Sequence, residues 1–212
     1  MLGAALIATG LSKRLATLFV RRFGATPKKL ITAIFILCAM ASTVMSSHAV
    51  AVMVLPLVRD VERALALKRG QSVMGKALYF ALMWGCVIGG SLTVLGGGRG
   101  PLAIGLLEEA TAEQYTITFT AYITYTWPLV ALLFAVGYTL LRYGFKPEIG
   151  STEPALEQLE SNLRDLGKMT PRQLAVGIVV SLTIVLWTLA GDTYGLANIA
   201  ICSMAALFAV GA

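Results

Sequence analysis

The chain carries little charge for its length. Only 13% of its 212 residues are Asp, Glu, Lys or Arg, whereas a soluble domain carries about 25%. Hydrophobic residues make up 57% of the chain, and the mean hydropathy is +0.78. This composition argues against an ordinary soluble domain and predicts an all-α integral membrane protein.

Cysteine and histidine are also scarce. The three cysteines, Cys38, Cys86 and Cys202, each lie in an apolar run, and the chain has a single histidine, His48. No CxxC or Cys/His spacing is present, so neither a disulfide framework nor a zinc site is indicated. Since no pattern for covalent chemistry is apparent either, we predict that the chain is not an enzyme and has no cofactor other than a coupling ion.

Basic residues are confined to short segments between apolar stretches. They give a formal net charge of +6, yet none occurs after Arg99 until Arg142. Lys and Arg accumulate in the cytoplasmic loops of membrane proteins, so topology accounts for the charge without a nucleic-acid partner. The pattern predicts a multi-pass protein of the inner (plasma) membrane, whose surroundings are the lipid bilayer.

The stretch 30–57 is apolar at both ends and polar between Ser42 and His48. Each apolar arm spans roughly 15–18 Å as a helix, about half of a hydrocarbon core ~30 Å thick. Because basic clusters flank both sides, we predict a re-entrant hairpin over 28–60 that enters and leaves at the cytoplasm. Its polar turn must then lie in protein or a water-filled cavity. The alternative is one continuous helix whose small residues pack against a neighbour.

The segment 76–107 begins as an apolar helix and then fills with glycine. Its run from Gly96 to Pro101 is costly inside a helix, because Gly costs about 1 kcal/mol and Pro about 3 kcal/mol relative to Ala. We predict a broken helix around an unwound loop, an arrangement typical of binding sites in secondary transporters. Arg99 within the loop should face a cavity or protein. The alternative is a Gly-rich external loop between two ordinary helices.

The other segments are less informative. The apolar start of the chain lacks the basic region of a signal peptide and is interpreted as the end of a longer helix. The remaining predictions are an amphipathic interfacial helix (12–24), a return span (117–141), a polar cytoplasmic loop (142–171), a further span (171–190), an outer turn (191–195) and an apolar final segment.

Two motifs together resemble the divalent anion/sodium symporter family, which carries dicarboxylates, citrate and sulfate. One motif is Ser42-x-x-x-Ser46-Ser47-His48, where the family has S-x-x-x-S-N-T at a hairpin tip. The other begins at Ile88 and reads IGGSLTVLGGGRGP, where the family has an unwound loop of the form I-G-G-x-x-T-x-x-G-T-P-P-N. The resemblance covers most of residues 2–107 and extends more weakly to the C-terminus.

The resemblance implies that tip and loop hold sodium and that the tip also contacts the anionic substrate. It assigns substrate binding to Ser46 and Ser47. His48 and Arg99, which the family does not have, are added to the predicted substrate-binding residues because each is able to carry positive charge. The resemblance assigns sodium binding to Ser42, Ser46, Ser47, Gly96 and Gly100. The chain departs from the family at Ser47 and His48, where the family has Asn and Thr, and at Arg99-Gly100, where it has Pro-Asn. Coupling to Na⁺ or to H⁺ therefore stays open.

The family fold has two inverted repeats, each with one hairpin and one broken helix. The resemblance predicts that residues 1–170 form the first repeat and that 171–212 begin a second, truncated repeat. It implies a missing second repeat of the same carrier as partner and a homodimer at full length.

The function implied is secondary active transport of a small anion by alternating access. The alternatives are a membrane-embedded structural or assembly subunit, in which the glycines serve helix packing, and a channel subunit.

Overall fold

The computed structural model describes residues 5–6, 8–68, 70–112, 114–167, 169–194 and 196–209, and within these ranges its regular structure is entirely helical. The helices, in chain order, are α1 (Leu11–Phe23), α2 (Pro27–Ser42), α3 (Ser47–Ala64), α4 (Val73–Gly90), α5 (Arg99–Ala110), α6 (Phe119–Thr139), α7 (Glu153–Asp165), α8 (Pro171–Tyr194) and α9 (Leu196–Ala209). Residues 1–4 and 7 of the apolar start, for which the end of a longer helix was predicted, lie outside the described residues.

Helix α4 lies at the centre of the fold, where it packs against α2, α3 and α6. Its closest contact is with α2, because Gly85 and Gly89 bring the two backbones together. A Cβ at Gly85 would lie 2.6 Å from the carbonyl oxygen of Phe35, and one at Gly89 would overlap the backbone of Ala39. Gly85 and Gly89 have the small-x-x-x-small spacing. In membrane helices, where there is no hydrophobic driving force between neighbours, this spacing lets two backbones pack closely and so holds the helices together.

Helices α2 and α3 are joined by a turn of only four residues, 43–46. Both helix starts are capped, since the hydroxyl of Thr26 accepts from the amide of Lys29 at 3.3 Å and that of Ser46 accepts from the amide of Ala49 at 3.3 Å. Such caps satisfy amides that have no partner within the helix. The predicted hairpin ended at residue 60, whereas α3 continues to Ala64.

Helix α4 ends at Gly90 and α5 begins at Arg99, so residues 91–98 form an irregular linker. At its other end α4 is capped by Ser72 and by the carboxylate of Glu148, which accepts from the amide of Met74 at 2.9 Å. Loss of surrounding water raises the pKa of Glu148, but hydrogen bonds from Ser72 and from nearby backbone amides, including that of Met74, together outweigh that effect and hold the pKa below its ordinary value.

The prediction of a polar loop over 142–171 is wrong in part, because the segment contains helix α7. A π-helical turn, Leu140–Gly144, first extends α6 beyond the predicted end of the return span. In α7, Ala155 and Leu159 are fully buried and pack on α1 and α3. Helix α7 therefore packs on the rest of the protein through an apolar face, and its charged residues lie outside that face.

The predicted outer turn over 191–195 is also corrected, because α8 continues through it to Tyr194. Gly195 lies outside the described residues. Within the described ranges, Val73–Gly90 and Phe119–Gly144 are the two helices long and apolar enough to cross a membrane.

Candidate functional site

The turn between α2 and α3 touches the linker between α4 and α5. The amide of Ser47 donates to the carbonyl oxygen of Gly96 at 2.9 Å. The hydroxyl of Ser47 lies 2.9 Å from the carbonyl oxygen of Cys86 and 3.0 Å from that of Gly96. The sequence predicted that these two polar stretches meet, and in the structure they are in direct contact.

A second contact, formed by Thr93, reinforces the first. Its hydroxyl donates to the carbonyl oxygen of Thr43 at 2.6 Å and accepts from the amide of Leu95 at 3.3 Å. Thr93 was not among the predicted site residues. Its place as the threonine of the I-G-G-x-x-T pattern was the available signal.

The contact depends on two glycines that stack on each other. A Cβ on Gly96 would overlap the backbone of Gly90, and a Cβ on Gly90 would overlap the hydroxyl of Ser47. Gly97, in contrast, has no neighbouring atom within 4 Å of such a Cβ. The turn and the linker can therefore approach this closely only because residues 90 and 96 lack side chains.

A cavity of about 380 Å³ opens beside this contact. Five of the seven predicted site residues line it: Ser47, His48, Gly96, Arg99 and Gly100. They come from the start of α3, from the linker and from the start of α5. The start of α3 is separated from the linker by some 40 residues of sequence, and the linker runs directly into α5.

The cavity is electropositive in character. Arg99 and His48 line it, and no Asp or Glu is among its lining residues. Arg99 forms no ion pair or hydrogen bond with the described residues. Helices α3 and α5 both begin at the cavity, and a helix N-terminus carries roughly +0.5 of a charge. This arrangement is suited to an anion.

The other two predicted site residues lie outside this lining. Ser46 is exposed, and its hydroxyl accepts from the amide of Ala49 as the cap of α3. Ser42, the last residue of α2, is fully buried, and its hydroxyl oxygen has no hydrogen-bond partner within the described ranges. A buried polar atom of this kind is costly unless a partner satisfies it.

Comparison with known families agrees with the geometry. The model of the sodium:sulfate symporter transmembrane region matches residues 1–211. The chain belongs to this family. Among curated proteins, none matches the chain. The family match confirms the resemblance stated from the two motifs and identifies a transmembrane protein of a sodium and anion symporter family.

For a member of this symporter family, the site has an unusual balance of groups. Ser47, at the position of the family's Asn, uses its hydroxyl proton to join the turn to α4 and the linker. His48 and Arg99 add two groups able to carry positive charge at the cavity. Sequence reasoning also missed Tyr122 of α6, which lines the same cavity.

Proposed function

We propose that this chain performs secondary active transport of a small anion, either an inorganic oxyanion such as sulfate or a dicarboxylate. The observation that carries the proposal is Arg99, a cation without an acidic neighbour in a cavity formed by two helix N-termini. A dianion bound there supplies the missing countercharge, and it accepts hydrogen bonds from the guanidinium of Arg99 and from the amides at the start of α5, which have no side-chain cap.

The depth of the cavity supports a transport role. Lys76 marks the basic end of α4, and Cys86, whose carbonyl accepts from Ser47, follows ten residues later. At 1.5 Å per residue this separation is about 15 Å, half of a hydrocarbon core ~30 Å thick. The turn therefore sits near the bilayer midplane in this proposal, as the tip of a re-entrant hairpin, where alternating access exposes it to each side in turn.

A cation site beside the turn is part of the proposal. Helices α2 and α4 both end there, and helix C-termini carry partial negative charge. The unpaired hydroxyl of Ser42, the hydroxyl of Ser47 and backbone oxygens of the linker around Gly96 and Gly100 are hard oxygen ligands of the kind that suit Na⁺. Coupling to H⁺ is the alternative.

The proposed site uses one hairpin and one broken helix. We propose that a second repeat of the same carrier faces the cavity and that the full-length carrier is a homodimer. Substrate and coupling ion would then bind between the two repeats.

Uptake into proteoliposomes by the full-length carrier tests the proposal. Labelled sulfate and labelled succinate are supplied under an inward Na⁺ gradient or an inward proton gradient, with neither gradient as reference. Arg99→Gln should lower uptake at low substrate concentration by about tenfold or more, because a hydrogen bond to a charged group contributes ~1.5–3 kcal/mol. Arg172→Gln, at an exposed arginine outside the cavity, is the matched control and should leave uptake unchanged.

Two results would contradict the proposal. Equal uptake by Arg99→Gln and the parent removes Arg99 from the anion site. Flux that never concentrates either anion, under any gradient, contradicts active transport and favours a channel.

A further inference from the structure

Tyr122 lies on α6, outside both motifs, yet its side chain lines the same cavity as Arg99 and His48. Its ring packs directly on the start of α5. A Cβ added to Gly100 would lie 3.2 Å from the Tyr122 hydroxyl oxygen and 3.5 Å from the ring carbon that bears it. The phenol group is thus held against the start of α5, in the cavity that Arg99 and His48 also line.

The position of Tyr122 is fixed by the contacts of its helix. One turn later, the hydroxyl of Thr126 lies 3.2 Å from the carbonyl oxygen of Leu92, which ties α6 to the linker. Farther along, the ring of Phe134 stacks on that of Phe35 in α2 with centroids 4.8 Å apart. Helix α6 therefore contacts the linker through Thr126 and α2 through Phe134, and these contacts hold the ring of Tyr122 against the cavity.

The hydroxyl of Tyr122 has no hydrogen-bond partner among the described residues. A partly buried tyrosine hydroxyl normally finds such a partner. A phenol hydroxyl offers one O–H donor. A donor without a partner, in a cavity that Arg99 also lines and that has no carboxylate among its lining residues, is matched to a ligand that accepts hydrogen bonds.

We infer that Tyr122 is a substrate-contacting residue that donates a hydrogen bond to the bound anion and, through its ring, limits the size of anion the cavity accepts. This inference rests on the proposed function. It adds a third element to the site, because the donors then come from α3, from α5 and from the return helix α6. The ring forms part of the cavity wall against Gly100, so its removal enlarges the space available to a longer dianion.

The test compares Tyr122→Phe with Tyr125→Phe in the purified full-length carrier. Tyr125 lies on the same helix but is 78% exposed, which makes it a matched control. Sulfate and succinate binding are measured by titration calorimetry, and KM and maximal rate by uptake. Tyr122→Phe keeps the ring, so it should raise the Kd and KM for sulfate about tenfold with little change in unfolding temperature. Tyr125→Phe should match the parent.

A second variant tests whether the ring of Tyr122 limits the size of the bound anion. Tyr122→Ala should shift the ratio of succinate to sulfate affinity toward succinate relative to Tyr122→Phe, because only the alanine variant removes the ring. A merely structural tyrosine would lower both affinities equally and leave the ratio unchanged.

The outcomes separate this inference from the proposed function. If the parent carrier binds sulfate or succinate and Tyr122→Phe binds both with unchanged affinity, the role of Tyr122 is overturned and the proposed function stands. An unchanged affinity ratio in Tyr122→Ala overturns the size limit. If the parent binds neither anion, the proposed anion site fails and the role of Tyr122 fails with it.

Discussion

Among single residues, the glycines of the linker region divide into those that need to be glycine and those that do not. In the sequence the run from Gly96 to Gly100 looks uniform. In the structure Gly96 lies on the backbone of Gly90, whereas Gly97 and Gly98 have open space where a side chain would be. Composition predicts that the helix breaks here, but only the fold shows which glycine the break depends on.

Gly96→Ala should therefore disrupt the contact between turn and linker. The neighbour is backbone and cannot rotate away, so we expect a loss of about 1–3 kcal/mol, the usual cost of an overpacked position, together with weaker anion binding. Gly97→Ala is the control and should stay close to the parent. Thermal unfolding in detergent, with and without sulfate, measures both effects. Equal stability of the two variants would contradict the stacking of Gly96 on Gly90.

Site residues were predictable to the extent that they looked out of place in an apolar chain. Ser47, His48 and Arg99 are polar groups in or beside apolar stretches of the sequence, which is costly in a membrane protein and therefore informative. Tyr122 carried no such signal, because a tyrosine in an apolar helix is ordinary, and Thr93 was marked only by its place in the I-G-G-x-x-T pattern. Their roles depend on which helices pack together, and that is not visible in local composition.

Among the helices, α7 is the one that the sequence analysis did not anticipate. Its charged residues suggested a loop, although Pro154 in the first turn and the pair Ala155 and Leu159, four residues apart, are typical of a helix with one apolar face. Its C-terminus is held by Arg14 of α1, whose guanidinium donates to the carbonyl oxygens of Leu166 at 2.7 Å and Gly167 at 2.9 Å. A buried arginine thus links the interfacial helix to α7.

Arg14→Gln should loosen α7 from α1. An amide cannot reach both carbonyls as a guanidinium does, and the hydrogen bonds lost involve a charged donor, so we expect a destabilisation of ~1.5–3 kcal/mol. Lys13→Gln changes an exposed neighbour and serves as control. Limited trypsin digestion measures the effect as the rate of cleavage after Arg164, which should rise only in Arg14→Gln. Equal cleavage rates in both variants would contradict the role of Arg14 in holding the C-terminus of α7.

For the molecule as a whole, charge and hydropathy predicted the class of fold, but not the packing. An all-helical membrane protein followed from the apolar composition alone, and two motifs led to the symporter family. The central position of α4 and the continuation of α8 through a glycine-containing stretch did not follow. The position of α4 depends on its contacts with α2 and α6, which are distant in sequence, and tertiary contacts of this kind outweigh local propensity.

The topology is the remaining prediction at this scale. Because both flanks of the hairpin are basic, Lys28 and Lys68 should lie on the cytoplasmic side, and Glu109 should lie on the opposite side. Single cysteines are introduced at these exposed positions in a Cys202→Ser background, since Cys38 and Cys86 are buried and Cys202 is exposed. Labelling with an impermeant maleimide from each side gives the orientation. Opposite labelling of positions 28 and 68 would indicate a single crossing helix.

The hydroxyl of Ser47 has one proton and two carbonyl oxygens within reach, Cys86 at 2.9 Å and Gly96 at 3.0 Å. These acceptors belong to different units, the rigid helix α4 and the irregular linker. If Na⁺ binds the oxygen of Gly96, as proposed, the hydroxyl proton can turn to Cys86, so the hydroxyl keeps an acceptor and avoids the usual penalty for an unpaired buried group. In the proposed transport cycle, the hydrogen bond from Ser47 to α4 would therefore hold whether or not the linker holds an ion, and only the contact with Gly96 would be exchanged.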